Sequence, residues 1–174
     1  VTYGFVHSDL WHLLFNMLLL WFLGKMIEGT YGSKEFLLFY LAGVVVSGLG
    51  HVLFQLAMHI PNGVIGASGG VFAVTVLAAR HYPMTMLRVM FIFPMPLWMA
   101  ATLFVALDTL YLMSQHSGVA HAAHLGGAAF GYLYYQYHWR ISNLFVALSA
   151  PWDAFRLKRK LKRREHELQI FEPN

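Results

Sequence analysis

Apolar residues along this chain run in long blocks instead of alternating with polar ones, the pattern of buried or membrane-embedded helices. The first block runs from about Leu10 to Ile27 and is broken only by His12, Asn16 and Lys25. The second runs from about Phe36 to Met58, and a shorter third from about Gly66 to Ala79. The fourth, from about Leu87 to Met113, contains Pro94 and Pro96, and the fifth runs from about Val119 to Tyr137. Most reach the roughly 20 residues needed to cross a hydrocarbon core. The third does not, so neighbouring helices must shelter it, with water above its start. Polar turns separate the blocks: Glu28 to Glu35, His59 to Gly63, the basic connection Arg80 to Arg88 with Pro83, and Gln115 to Gly118. The pattern predicts an all-α polytopic membrane protein with five transmembrane helices over residues 1–150.

Composition supports the membrane as solvent. Of 174 residues, 58% are hydrophobic and 11% charged, against roughly a quarter charged in soluble domains. Seven of the twelve Lys and Arg lie between Arg156 and Arg164, so the rest of the chain is poorer still in charge. Cysteine is absent, which excludes disulfides and thiolate chemistry. Positive charge orients the bundle. The basic C-terminus is placed in the cytoplasm, with the Arg80–Arg88 connection and the turn holding Lys34 on the same side. The turns at His59 and His116 carry no Lys or Arg and face outward. Val1 then starts outside, which implies a further helix upstream of this sequence.

From Pro151 the composition changes. Phe155, Leu157, Leu161 and Leu168 recur at helical spacing among basic residues. Residues 151–174 read as a basic amphipathic tail lying on anionic lipid, or as a solvated charged tail. A basic segment next to a membrane core points to lipid and not to nucleic acid.

Polar residues inside membrane spans are costly and mark function by default. Three clusters stand out. Gly66, Ala67, Ser68, Gly69 and Gly70 open the short third helix. Small neighbours leave a serine hydroxyl accessible, and a helix N-terminus offers free N–H groups to a developing oxyanion. Such residues also serve plain helix packing. In the fifth helix, His124 is followed by Gly127 and Gly131, four apart on one face. A smooth stripe lets another helix approach, as a serine and a base on separate helices need if they are to meet at about 2.6–3.2 Å. His121, one turn earlier, reads as a hydrogen-bonded interfacial residue. In the first helix, His12 and Asn16 share a face and both can donate to an oxyanion; helix–helix hydrogen bonding explains them equally. His7 is read as holding a loop in place. Nucleophile, base and donors all fall near the outer ends of their helices.

These residues resemble the rhomboid family of intramembrane serine proteases over roughly His7 to Gly131. His7, His12 and Asn16 fit its His-x4-His-x3-Asn pattern. Gly66, Ser68 and Gly69 fit its Gly-x-Ser-Gly. Ala123, His124, Gly127 and Gly131 fit its Ala-His-x2-Gly-x3-Gly, and Glu28 with Gly32 fit its Glu-x3-Gly. The resemblance implies a six-helix bundle whose first helix would precede Val1. It implies a Ser68–His124 dyad without an acidic third member, an oxyanion hole of His12, Asn16 and the Ser68 N–H, and Phe72 stacked on the base. Substrates would be membrane proteins cut in or near a transmembrane segment, with no cofactor. Asp108, in the fourth block, is expected to make only an interfacial hydrogen bond. Two rivals remain. One is a catalytically silent rhomboid-like binder of membrane segments. The other is a metal-binding membrane protein using His12, His121 and His124, against which stands the lack of a carboxylate in line with them.

Overall fold

Asp9 starts the first helix. Its carboxylate accepts the His12 backbone N–H at 2.8 Å, and that bond, with a second from the Ser8 hydroxyl, holds its pKa below the ordinary value. The computed structural model describes residues 2–59, 63, 65–89, 93–114 and 121–171. Residues 60–62 of the turn predicted from His59 to Gly63, and all of the turn predicted from Gln115 to Gly118, lie outside this set. Helix α1 runs Leu10–Tyr31 and α2 runs Ser33–Met58. At 22 and 26 residues they are about 33 and 39 Å long, enough to cross a bilayer core. Only 22% and 33% of their apolar windows are buried, so most of their apolar side chains face outward, unlike the core helices of a soluble protein.

The polar turn predicted from Glu28 to Glu35 shrinks to one residue, Gly32. Its N–H donates to the Glu28 carbonyl at 2.7 Å, and its φ of 82° with ψ of 155° reverses the chain in one step. A side chain there is strained by about 1–3 kcal/mol. Gly32→Ala is therefore expected to lower the thermal unfolding midpoint in detergent; an unchanged midpoint would remove this assignment. Glu35, expected in the turn, is buried in α2 and accepts a hydrogen bond from the Tyr134 hydroxyl.

Helix α3, Ser68–His81, is the hub of the bundle. It packs against α1, α2, α4 and α5. Val74, Leu77 and Ala78 are completely buried. Its 14 residues span about 21 Å, too short to cross alone, and its neighbours shelter it as the sequence predicts. The fourth apolar block is not one element. Met86–Val89 and Phe93–Pro96 form an antiparallel hairpin, β1 and β2, with Met86 opposite Pro96. Only then does α4 run, Leu97–Ser114. Pro94 and Pro96 forbid a helix interior but fit a two-stranded ribbon, whose strands are both edges. The bundle is mostly helical, with this hairpin the departure from the all-α expectation. Helix α5 runs His121–Gln136. By length and apolar composition, α1 and α2 qualify as membrane-crossing among the described residues, and Leu97–Met113 is a shorter apolar helix.

Residues Val1–Trp139 form one compact unit and Arg140–Asn174 another. The second is built on one helix, α6, Ile141–Phe171, which contains Pro151. It begins ten residues before the change in composition at Pro151. Phe155, Leu157 and Leu161 on it are exposed; the side chain of Leu168 is outside the described set.

Candidate active site

Ser68 is the first residue of α3. At a helix start the leading N–H groups have no intrahelical acceptor, so they gather beside its hydroxyl. The approach to Ser68 is tied down from two sides. The Gly66 N–H donates to the Tyr3 carbonyl at 3.0 Å. The Ala67 N–H makes a long, weak contact of 3.5 Å with His7 Nε2. Gly66 has φ of 104°, and a Cβ there would lie 2.7 Å from His12 Cε1 and 3.7 Å from Ser68 Oγ. Glycine is thus required twice, by backbone angle and by space, and its missing side chain leaves one small gap flanked by His12 and Ser68.

Helix α5 lies directly on the α3 backbone. A Cβ on Gly127 would sit 1.9 Å from the Gly69 carbonyl oxygen, and one on Gly131 would sit 2.3 Å from that of Ala73. Backbone contact at these two points sets α5 in register with α3. It brings His124 Nε2 to 2.6 Å from Ser68 Oγ. Phe72, one turn after Ser68, stacks on the His124 ring at 4.5 Å and 8°. Gly69 in turn faces Ser47 of α2, whose hydroxyl lies 2.9 Å from that of Tyr3. Neither Tyr3 nor Ser47 stood out in the sequence, because their value is to brace a neighbour.

The donors from α1 are less simple. The Ser8 hydroxyl donates to Asp9 at 2.7 Å and lies 3.1 Å from His12 Nδ1. A hydroxyl has one hydrogen. With that hydrogen on Asp9, Ser8 accepts from His12 Nδ1–H, and neutral His12 presents a bare Nε2. His12 then donates through Nε2 only as an imidazolium, or after Ser8 turns its hydrogen toward Nδ1. Asn16 is buried, and its amide donates one hydrogen to the His12 carbonyl at 2.8 Å, leaving the second for another acceptor.

Asp108 departs from expectation. It is buried at 7% exposure, and its two carboxylate oxygens lie 3.1 and 3.2 Å from His124 Nδ1. His121 Nδ1 also bonds this carboxylate. Tyr111 stacks on His121 at 5.5 Å. So a carboxylate does line up with His121 and His124, contrary to the reading that set a metal site aside for want of one. The donor atoms of Asp108, His121 and His124 lie within 4.8 Å of one another, residue types that metal ions accept as ligands; His12 is not among them. A separate groove of about 780 Å³ lies toward the other end of α3, lined by Arg80, Trp98, Val105, Leu125 and Tyr135 among others, and it includes neither Ser68 nor His124.

A Rhomboid domain model matches residues 1–141. The chain belongs to the rhomboid family. It is 31% identical over 147 residues to RHOMBOID-like protein 12, mitochondrial, of Arabidopsis thaliana, covering 74% of this chain and 43% of that one. It is 32% identical over 146 residues to Rhomboid protein 1, mitochondrial, of Saccharomyces cerevisiae, covering 80% and 40%. It is 30% identical over 135 residues to the human Presenilin-associated rhomboid-like protein, mitochondrial, covering 76% and 36%. This rhomboid chain therefore spans about two-fifths of the length of these curated relatives. Comparison with solved structures gives no match.

Proposed function

We propose that this rhomboid domain is an intramembrane serine endopeptidase that cuts membrane proteins in or near a transmembrane segment. The observation that carries the reading is the 2.6 Å contact between Ser68 Oγ and His124 Nε2. A serine hydroxyl is a weak nucleophile until a base takes its proton. His124 takes it as Ser68 Oγ bonds to the peptide carbonyl carbon. The resulting oxyanion meets the N–H of Ser68, with His12 and Asn16 as further donors. The C–N bond then breaks, His124 returns the proton to the leaving amine, and water releases the acyl group by the reverse route. No cofactor is needed. Gly66, Gly127 and Gly131 permit the close approaches, and Phe72 holds the imidazole plane.

In this reading α1 to α5 are five membrane helices, with the C-terminus on the cytoplasmic side and α6 held by anionic lipid. The relatives' names place those proteins in mitochondria; there the same charge rule would put the tail in the matrix. The test is labelling of the purified protein by a fluorophosphonate, read by peptide mass spectrometry. Adduct on Ser68 supports an activated serine. No adduct would favour the silent binder of membrane segments.

A further inference from the structure

We propose that Asp108 is a positioning residue for His124, so that the site works as a Ser68–His124–Asp108 triad and not as a dyad. The inference rests on the serine-protease reading above and extends it to helix α4. A neutral imidazole carries one hydrogen, on Nδ1 or on Nε2. Only the Nδ1–H form leaves a lone pair at Nε2, where Ser68 Oγ stands 2.6 Å away. The Nε2–H form would donate to Ser68 and could not accept its proton. Something must therefore favour hydrogen on Nδ1. Asp108 does, with both oxygens within 3.2 Å of that nitrogen. An ionised carboxylate is an acceptor only, so it selects the Nδ1–H tautomer.

The same contact acts in the transition state. When Ser68 gives up its proton, His124 becomes an imidazolium beside a buried carboxylate. The pairing is stronger here than in water, because the local dielectric is low. Asp108 keeps its own ionisation state throughout; the proton moves only between Ser68, His124 and the leaving amine. The carboxylate is itself held. His121, one turn before His124 on α5, bonds it with Nδ1, and Tyr111 of α4 stacks on the His121 ring at 5.5 Å. His121 thus orients Asp108 as Asp108 orients His124. Phe72 completes the constraint by stacking on the ring face, so that ring plane and tautomer are fixed by different neighbours.

The experiment uses the full chain in detergent micelles and a set of variants: Asp108→Asn, Asp108→Ala, Asp108→Glu and His121→Gln. The rate of fluorophosphonate labelling at Ser68 is measured with kcat and KM on a membrane-embedded reporter. Asp108→Asn keeps the shape of the side chain and is expected to lower labelling and kcat by at least about 10²-fold, toward the roughly 10⁴-fold known for loss of a triad acid. KM and the unfolding midpoint should stay near those of the parent protein. Asp108→Glu should recover part of the loss, and His121→Gln should lose less than Asp108→Asn. A purely structural Asp108 would move the midpoint and leave the labelling rate of the folded fraction unchanged.

A second readout does not need activity. In histidine-labelled protein, the nitrogen-15 resonances of His124, assigned by their loss in His124→Gln, report its tautomer. The proposal expects hydrogen on Nδ1 in the parent protein and a shift toward Nε2–H in Asp108→Asn. An unlabelled parent would end the protease reading while the tautomer still decided the role of Asp108. Hydrogen on Nε2 in the parent, labelling of Asp108→Ala within about threefold of the parent, or one zinc per chain lost in Asp108→Ala would each overturn the proposal.

Discussion

Ser68→Ala and His124→Ala are each expected to remove cleavage of a membrane-embedded reporter, lowering kcat by roughly 10⁴–10⁶-fold. The two losses should be similar in size and should not add in the double variant, because nucleophile and base act as one unit. Removing Ser68 Oγ leaves no atom to form the acyl bond. Removing His124 leaves the hydroxyl with no acceptor at 2.6 Å, and its own proton then blocks attack. Residual turnover, if any, would come from the oxyanion donors acting on water. His12→Ala should be milder, about 10²–10³-fold, the usual cost of one oxyanion donor. That grading separates chemistry from collapse of the fold, since an unfolded bundle would lower all three alike. A Ser68→Ala protein that still cut the reporter at a tenth of the parent rate or better would rule Ser68 out as nucleophile.

Gly127→Ala is expected to be nearly as damaging, by a different route. Its methyl would lie 1.9 Å from the Gly69 carbonyl oxygen, where ordinary contact begins at 3.4 Å. The obstacle is backbone, so no side chain can rotate out of the way. Helices α3 and α5 must move apart by more than an ångström. Overpacking of this kind costs about 1–3 kcal/mol, or more where relief is impossible. Ser68 and His124 sit on these two helices one turn or less from the collision, so their contact lengthens with the separation. Both the unfolding midpoint and Ser68 labelling should fall. Gly29→Ala is the control. Nothing lies within 4 Å of a Cβ there, and replacing a helical glycine gains about 0.5–1 kcal/mol. If Gly127→Ala melted and labelled like the parent protein, α5 would not owe its register to this contact.

Several features of the bundle were legible because they depend on local pattern. Long apolar blocks announced helices, and the shortness of the third announced shelter. Ser68 and His124 stood out as candidates because the glycines around them clear space on two helix faces, though such glycines also serve plain packing; Phe72 came only from the family resemblance. The hairpin Met86–Pro96 was missed because an apolar run has no period that separates a buried strand from a helix. Pro94 and Pro96 were the signal available, since neither fits a helix interior. Glu35 was placed in a polar turn because it follows Gly32 by three residues; Tyr134, ninety-nine residues further on, is what draws it inside.

Sequence by itself determined the membrane-like composition, the helix-rich architecture, the family pattern and the choice of Ser68 and His124 as candidates. These follow from composition and from spacing within single helices, where 3.6 residues per turn links number to position. Only the tertiary structure decided which polar groups meet between helices. Asp108 is 16 residues from His124 in the chain, across a connection whose course no spacing rule predicts. Nothing local distinguishes a carboxylate facing the interface from one facing an imidazole. The contact of Gly127 and Gly131 with the α3 backbone sets the height of α5, and the packing of α4 brings Asp108 beside His124. The Ser68–His124–Asp108 contacts are a property of that three-helix register, and register arises only when the helices pack.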